Sequence, residues 1–230
     1  LIRDLHQQRE ALVQMFVEEA KVSFLLTHPN IVRTYEIGQV DEHYFLVLEY
    51  VDGITLEGLL EHVNERLGQP LPARFALYIA SRVARGLDHA HRLTDRHGAP
   101  LHLVHRDVSP GNVLISRDGQ VKVSDFGLAT SRLRKVHSMA GQIKGKLGYM
   151  APEQLRGEEL LPAADLYALG VVLYEMLAGR HPFGELDELG LAGRARGAAV
   201  QPLQVLAPHL DARVVEPVER CMADAPGERP

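Results

Sequence analysis

One cysteine in 230 residues leaves no partner for an internal disulfide, so Cys221 reads as a small buried apolar residue and a reducing cytoplasm is the natural setting. Long apolar runs are also missing. The longest, residues 166–179, carries Glu175 and falls short of the roughly 20 residues that a membrane span needs. It reads as a buried helix, and no signal peptide is visible. Excess positive charge is absent: a net charge of -5 and a pI near 6.2 exclude the basic footprint of a nucleic-acid or anionic-membrane binder. There are no internal repeats and no low-complexity tracts. What remains is 46% hydrophobic and 24% charged, enough to bury a core in one globular unit or two small lobes. Neither end has capping or tail-like composition, so the stretch is expected to be cut from a longer protein.

Periodicity divides the chain. Leu12, Met15, Phe16, Val22 and Leu26 recur at helical steps over residues 5–26, and Glu19 falls on the same stripe. His28-Pro29-Asn30 ends that helix, because a residue before proline avoids helical geometry. Two strand-like runs follow, 31–37 and 44–50, joined by a turn at Asp41-Glu42. Residues 51–53 read as a connector, and the remainder as mainly helical. Residues 75–91 form an amphipathic helix with Phe75, Ile79, Val83, Leu87 and Ala90 on one face. Asp118-Gly119 marks a hairpin between strands 113–115 and 121–123.

The chemistry concentrates at residues 105–112, His-Arg-Asp-Val-Ser-Pro-Gly-Asn. Asp107 and Asn112 place a proton acceptor and an amide metal ligand on one short loop, a pair that phosphoryl transfer from a nucleotide needs. One hairpin later, Asp125-Phe126-Gly127 returns a carboxylate to the same mouth. Ala151-Pro152-Glu153 closes the polar loop that starts at Asp125, and Asp165 opens the apolar helix that contains Gly170.

In this order and spacing, H-R-D-V-S-P-G-N, D-F-G, G-Y-M-A-P-E-Q, D-L-Y-A-L-G and G-R-H-P-F resemble the C-lobe of eukaryotic-like protein kinases, from Phe16 to the end of the chain. The resemblance implies an α+β, two-lobed fold with a reduced small lobe (residues 1–48), a hinge (49–53) and a mainly helical large lobe (54–230). It implies ATP and magnesium as cofactors and a protein substrate bearing a serine or threonine hydroxyl. By position, Asp107 would take or orient the hydroxyl proton, and Asn112 and Asp125 would ligate magnesium. Backbone groups of Glu49 to Val51 would meet adenine, with Leu48 as gatekeeper and Leu114 as the floor beneath the ring. Arg106, after His105, could pair with an activation-loop phosphate. Glu153 would pair with Arg229, and Asp165 would hold the catalytic loop from below. Glu19 takes the place of the helix glutamate that pairs with a phosphate-holding lysine.

That lysine is absent: no G-x-G-x-x-G loop and no V-A-I-K strand precede Glu19, and Lys21 is on the helix itself. The 230 residues alone are therefore expected to transfer phosphate weakly, and the small-lobe sheet is expected to have an unprotected edge. A second departure is an exchange. Ser109 stands two residues after Asp107, where most serine/threonine kinases carry lysine, and Lys146 stands after Gly145, where they carry threonine. Lys146 is expected to reach over the loop and supply the cation that Ser109 lacks. The usual activating phosphosite is Gln142 here, which leaves Ser138, with Ser131 and Thr130 behind it, as the candidate. Pro110 with G-Y-M-A-P-E is similar to serine/threonine rather than tyrosine kinases, and H-R-D-V-S-P with K-G-K-x-x-Y-M-A-P-E is similar to bacterial Hanks-type enzymes. The alternatives are a pseudokinase scaffold and a small-molecule phosphotransferase. Three intact metal-site residues count against the first and the A-P-E segment against the second.

Overall fold

The computed structural model describes residues 20–41, 43–126, 147–184, 190, 193 and 200–230. A helical turn at 20–23 buries Ala20 and stops where the amides of Leu25 and Leu26 turn back to Val22 and Ser23. An antiparallel pair follows, β1 (Thr34–Val40) and β2 (His43–Leu48), joined through Asp41 at φ 52°. The first strand begins three residues later than its sequence suggests. Residues 30–32 bond instead to the large lobe, with Val32 N–H donating to Val123 O (2.9 Å) and Val123 N–H to Asn30 O (2.9 Å). Burying Ile31 in the main core decides the matter, since a buried isoleucine contributes about 1.5–3 kcal/mol. Tyr35, Phe45 and Val47 stay exposed on the small sheet.

Residues read as a connector partly form a strand, β3 (Gly53–Thr55), which pairs antiparallel with β4 (Val113–Ser116), itself paired with β5 (Val121–Val123). Gly53 permits it: a Cβ there would lie 2.0 Å from Ile115 O. Helix α1 (Leu56–Leu67) starts at once, capped by Thr55 Oγ1 accepting from Gly58 N–H, and stops at Gly68 with φ 57°.

Helix α2 (Ala73–His91) buries Ala76, Ile79, Ala80, Val83, Leu87 and Ala90. Phe75, placed on that face by sequence, is 48% exposed; it lies one step off the stripe and carries the Arg74 guanidinium 4.7 Å above its ring. A short α3 (Pro152–Arg156) leads to α4 (Ala163–Ala178), the central helix, buried nearly all round against α2 and against α6 (Ala212–Cys221), with α5 (Leu203–Leu206) beside them. Gly170 lets α4 and α6 meet, since a Cβ there would fall 2.7 Å from Cys221 Cβ. Cys221 is free and packed in this seam, and burial pushes its thiol pKa up. Among the described residues no helix is long and apolar enough to cross a membrane.

Candidate active site

Asp165, in the first turn of α4, is 1% exposed and spends its carboxylate on three donors. Oδ1 accepts the amide of Arg106 at 2.8 Å. Oδ2 accepts the amide of His105 at 2.8 Å and His91 Nε2 at 2.7 Å. Such charge-assisted bonds can hold an unusual backbone, and Arg106 has φ 70°, a left-handed conformation that costs a side-chain-bearing residue about 1–3 kcal/mol.

His105, fully buried, ties the loop to the strand opposite. Its Nε2 donates to Ser124 O (2.9 Å), its Nδ1 accepts from Asp107 N–H (3.2 Å), and its ring meets Phe126 edge-on with centroids 4.4 Å apart. One imidazole thus sets the separation of Asp107 from the segment 124–126. Asn112, in the 3-10 turn Pro110–Asn112, adds a second tie: Ser124 N–H donates to its carbonyl at 2.9 Å. Its side-chain Nδ2 donates to Asp107 O (2.7 Å) and Asp107 Oδ2 (3.0 Å). With Nδ2 spent, Oδ1 is the atom left to a cation. Asp125 follows Ser124 directly, also in the left-handed region at φ 60°.

This oxygen donor set fits magnesium, which binds through one or two carboxylates completed by phosphates and water rather than by a protein cage. Among the described residues no cluster of three or more His, Cys, Asp or Glu able to hold a metal occurs. Ser109 is 3% exposed, and its Oγ is buried with no hydrogen-bond partner among the described residues.

On the base side, Glu49 N–H donates to Arg33 O (2.8 Å), which fixes the start of the hinge. Its carboxylate pairs with Lys122, with Nζ 2.9 Å from Oε1 and 3.0 Å from Oε2. Among the described residues, Val51 N–H and C=O and the Glu49 carbonyl have no backbone partner. Leu114 is half-buried on β4, opposite Lys122. Leu48 lines a cavity of about 20 Å³ together with Leu26, Asp125 and Phe126.

Glu153 and Arg229 form the expected pair, both buried, with two bonds of 2.6 and 2.9 Å. The guanidinium also donates to the carbonyls of Ala163, Ala223 and Asp224 and lies 5.0 Å above the Tyr167 ring. Gln154 Nε2 donates to Arg106 O at 2.8 Å, so this anchored segment reaches the catalytic loop. Glu19, Gly127, Ser138 and Lys146 lie outside the described residues. Sequence reading missed His91, Lys122, Ser124 and Gln154. The charged Lys122 between two valines was the one visible signal.

The protein kinase domain family model matches residues 2–229. The tyrosine-protein kinase MasK of Myxococcus xanthus is 39% identical over 218 residues, 94% of this chain and 33% of that protein. The serine/threonine-protein kinase PrkC of Bacillus subtilis is 38% identical over 180 residues, 78% of this chain and 26% of its own length. The chain thus spans a quarter to a third of these two relatives. The crystal structure of the Mycobacterium tuberculosis PknI kinase domain superposes with TM-score 0.68 at 29% identity, covering 95% of this chain and 74% of that one. With the two-lobed α+β fold in agreement, the chain belongs to the protein kinase family.

Proposed function

We propose that this chain is the catalytic domain of an ATP- and magnesium-dependent protein kinase that phosphorylates serine or threonine. The carrying observation is the convergence of Asp107, Asn112 and the Asp125 segment through His105 and Asp165. Asp107 accepts the proton of the substrate hydroxyl as the oxygen bonds to the γ-phosphorus and the bond to the β-phosphate oxygen breaks, releasing ADP. Asn112 Nδ2 holds Oδ2 of that carboxylate and fixes its plane toward the hydroxyl. Asn112 Oδ1 and Asp125 would hold magnesium, which when bound would supply charge neutralisation for the phosphates.

Glu49 O and the Val51 backbone take the adenine edge above Leu114. The Glu153–Arg229 anchor positions the end of the activation segment for a peptide. Lys146 supplies the cation that most serine/threonine kinases place two residues after the base, where this chain has Ser109.

The hydroxyl class is read from Pro110 and from PrkC, against the tyrosine specificity in MasK's name. The test is phosphotransfer from labelled ATP by the full-length protein, followed by phosphoamino-acid analysis, with Asp107→Asn as control. Phosphoserine or phosphothreonine that vanishes in Asp107→Asn is expected. Phosphotyrosine alone overturns the hydroxyl class, and binding of ATP without any transfer points to the scaffold reading.

A further inference from the structure

Lys122 occupies a costly place for a charge. It is 7% exposed, between Val121 and Val123, whose side chains are buried in the large-lobe core. Strand alternation puts Lys122 on the opposite face, beside its register partner Leu114. An ammonium there is tolerable only with a close counter-charge, and Glu49 supplies it in bidentate form. The same Glu49 carboxylate accepts Arg33 N–H at 3.2 Å, while Glu49 N–H returns to Arg33 O. Asn30 Nδ2 donates to Val121 O (2.8 Å), and Val32 N–H to Val123 O. The segment 30–33, the start of the hinge and the strand leading to Asp125 are therefore one bonded unit, with the Lys122–Glu49 pair at its centre.

We propose that Lys122 is a positioning residue for base recognition. Through the Glu49 carboxylate it fixes the hinge backbone relative to β5, so that the Glu49 carbonyl and the Val51 backbone meet a purine edge in set register while Asp125, three residues beyond Lys122, meets the phosphates. This rests on the nucleotide-binding reading above. A buried ion pair is often no more stabilising than apolar residues of the same volume, whereas its loss changes geometry. Fold stability and base discrimination should therefore separate.

The test compares ATP and GTP binding by isothermal titration calorimetry on the full-length protein, alongside thermal unfolding. The variants are Lys122→Arg and the double replacement Glu49→Gln with Lys122→Met. In the double variant the unfolding temperature should hold, while the preference for ATP over GTP falls about tenfold, the effect of one misplaced hydrogen bond. Lys122→Arg, which keeps the pair, should keep the preference. If ATP and GTP affinities fall together, or the preference survives in the double variant, Lys122 does not position the base site. A wild-type protein that binds neither nucleotide overturns the kinase reading and this inference with it. One that binds ATP, with the preference intact in the double variant, overturns the inference alone.

Discussion

Asp165 Oδ1 accepts the amide of Arg106 at 2.8 Å, and Arg106 holds a left-handed backbone at φ 70° just before the candidate base. An asparagine at 165 keeps one acceptor and loses the charge that serves three donors. The loop should then relax, and a displacement of about 1 Å at the base costs on the order of 100-fold in turnover. Asp165→Asn is expected to lower kcat by about that factor while nucleotide affinity stays within about twofold, since the residue touches no part of the base side. Unfolding should cost about 1–3 kcal/mol less than in the wild type, the penalty for weakened buried bonds. Steady-state kinetics beside calorimetric binding checks this, and an unchanged kcat would sink it.

The Glu153–Arg229 pair gives a stability prediction. Both side chains are shut away from solvent, so Arg229→Met strands a buried carboxylate at a cost of about 3–5 kcal/mol. For a chain of this size that is a fall in melting temperature of roughly 6–20 °C. Adding Glu153→Gln to Arg229→Met should recover part of the loss, because the uncompensated charge is removed with its partner. Differential scanning calorimetry of the three proteins decides it. A single variant melting within about 2 °C of wild type would show that the pair is not holding the segment.

How far the site could be read in advance depended on sequence distance. Asp107 and Asn112 lie five residues apart on one loop, and the Asp118-Gly119 hairpin carries Asp125 back to them by local geometry, so their neighbourhood was visible in the linear order. The His91–Asp165 contact joins residues 74 apart and depends on how α2 crosses α4, which no local motif encodes. Lys122 and Glu49 lie 73 apart, and their meeting depends on which face of β5 turns toward the hinge. The misplaced start of β1 has the same origin: Ile31 has strand propensity, but the large-lobe core takes it. Phe75 was misassigned because a helical stripe can be drawn through 75, 79 and 83 as readily as through 76, 80 and 83, and only packing chooses.

Ser109 carries a hydroxyl with no hydrogen-bond partner among the described residues, at a site 3% exposed. Removing an unsatisfied buried group is close to neutral for stability, so Ser109→Ala should melt within about 2 °C of the wild type. The catalytic cost should fall elsewhere. Lys146→Ala in the full-length protein is expected to reduce turnover about 100-fold, the scale of one lost transition-state donor, while Lys144→Ala has a mild effect. Ser109→Lys in the Lys146→Ala background should restore part of the rate. Equal, mild losses for the two lysines in a phosphotransfer assay would discard the exchange.

Tyr149 Oη donates to Glu175 Oε2 at 2.6 Å, beside a pocket of about 230 Å³ also lined by Glu57 and Pro110. Burial holds the Glu175 carboxyl above the usual carboxylate range. The Tyr149 bond opposes that rise, and Glu57 adds to it. Burial and the nearby Glu175 charge likewise raise the Tyr149 phenol. A carboxyl whose folded pKa exceeds its unfolded value, near 4.3, binds more protons when folded, so its favourable contribution is full below that value and is lost as pH rises through the folded pKa. Glu175→Gln keeps an acceptor for Tyr149 and has no charge to bury. Its stability should match the wild type at about pH 4 and exceed it at pH 7, with the gap opening between. Tyr149→Phe should show the reverse at pH 7, a loss of about 1–3 kcal/mol, because the buried carboxylate is left without its donor. Urea midpoints of the three proteins at both pH values test the pair. A Glu175→Gln protein less stable than wild type at pH 7 would mean that the carboxylate is held by an attraction stronger than its burial.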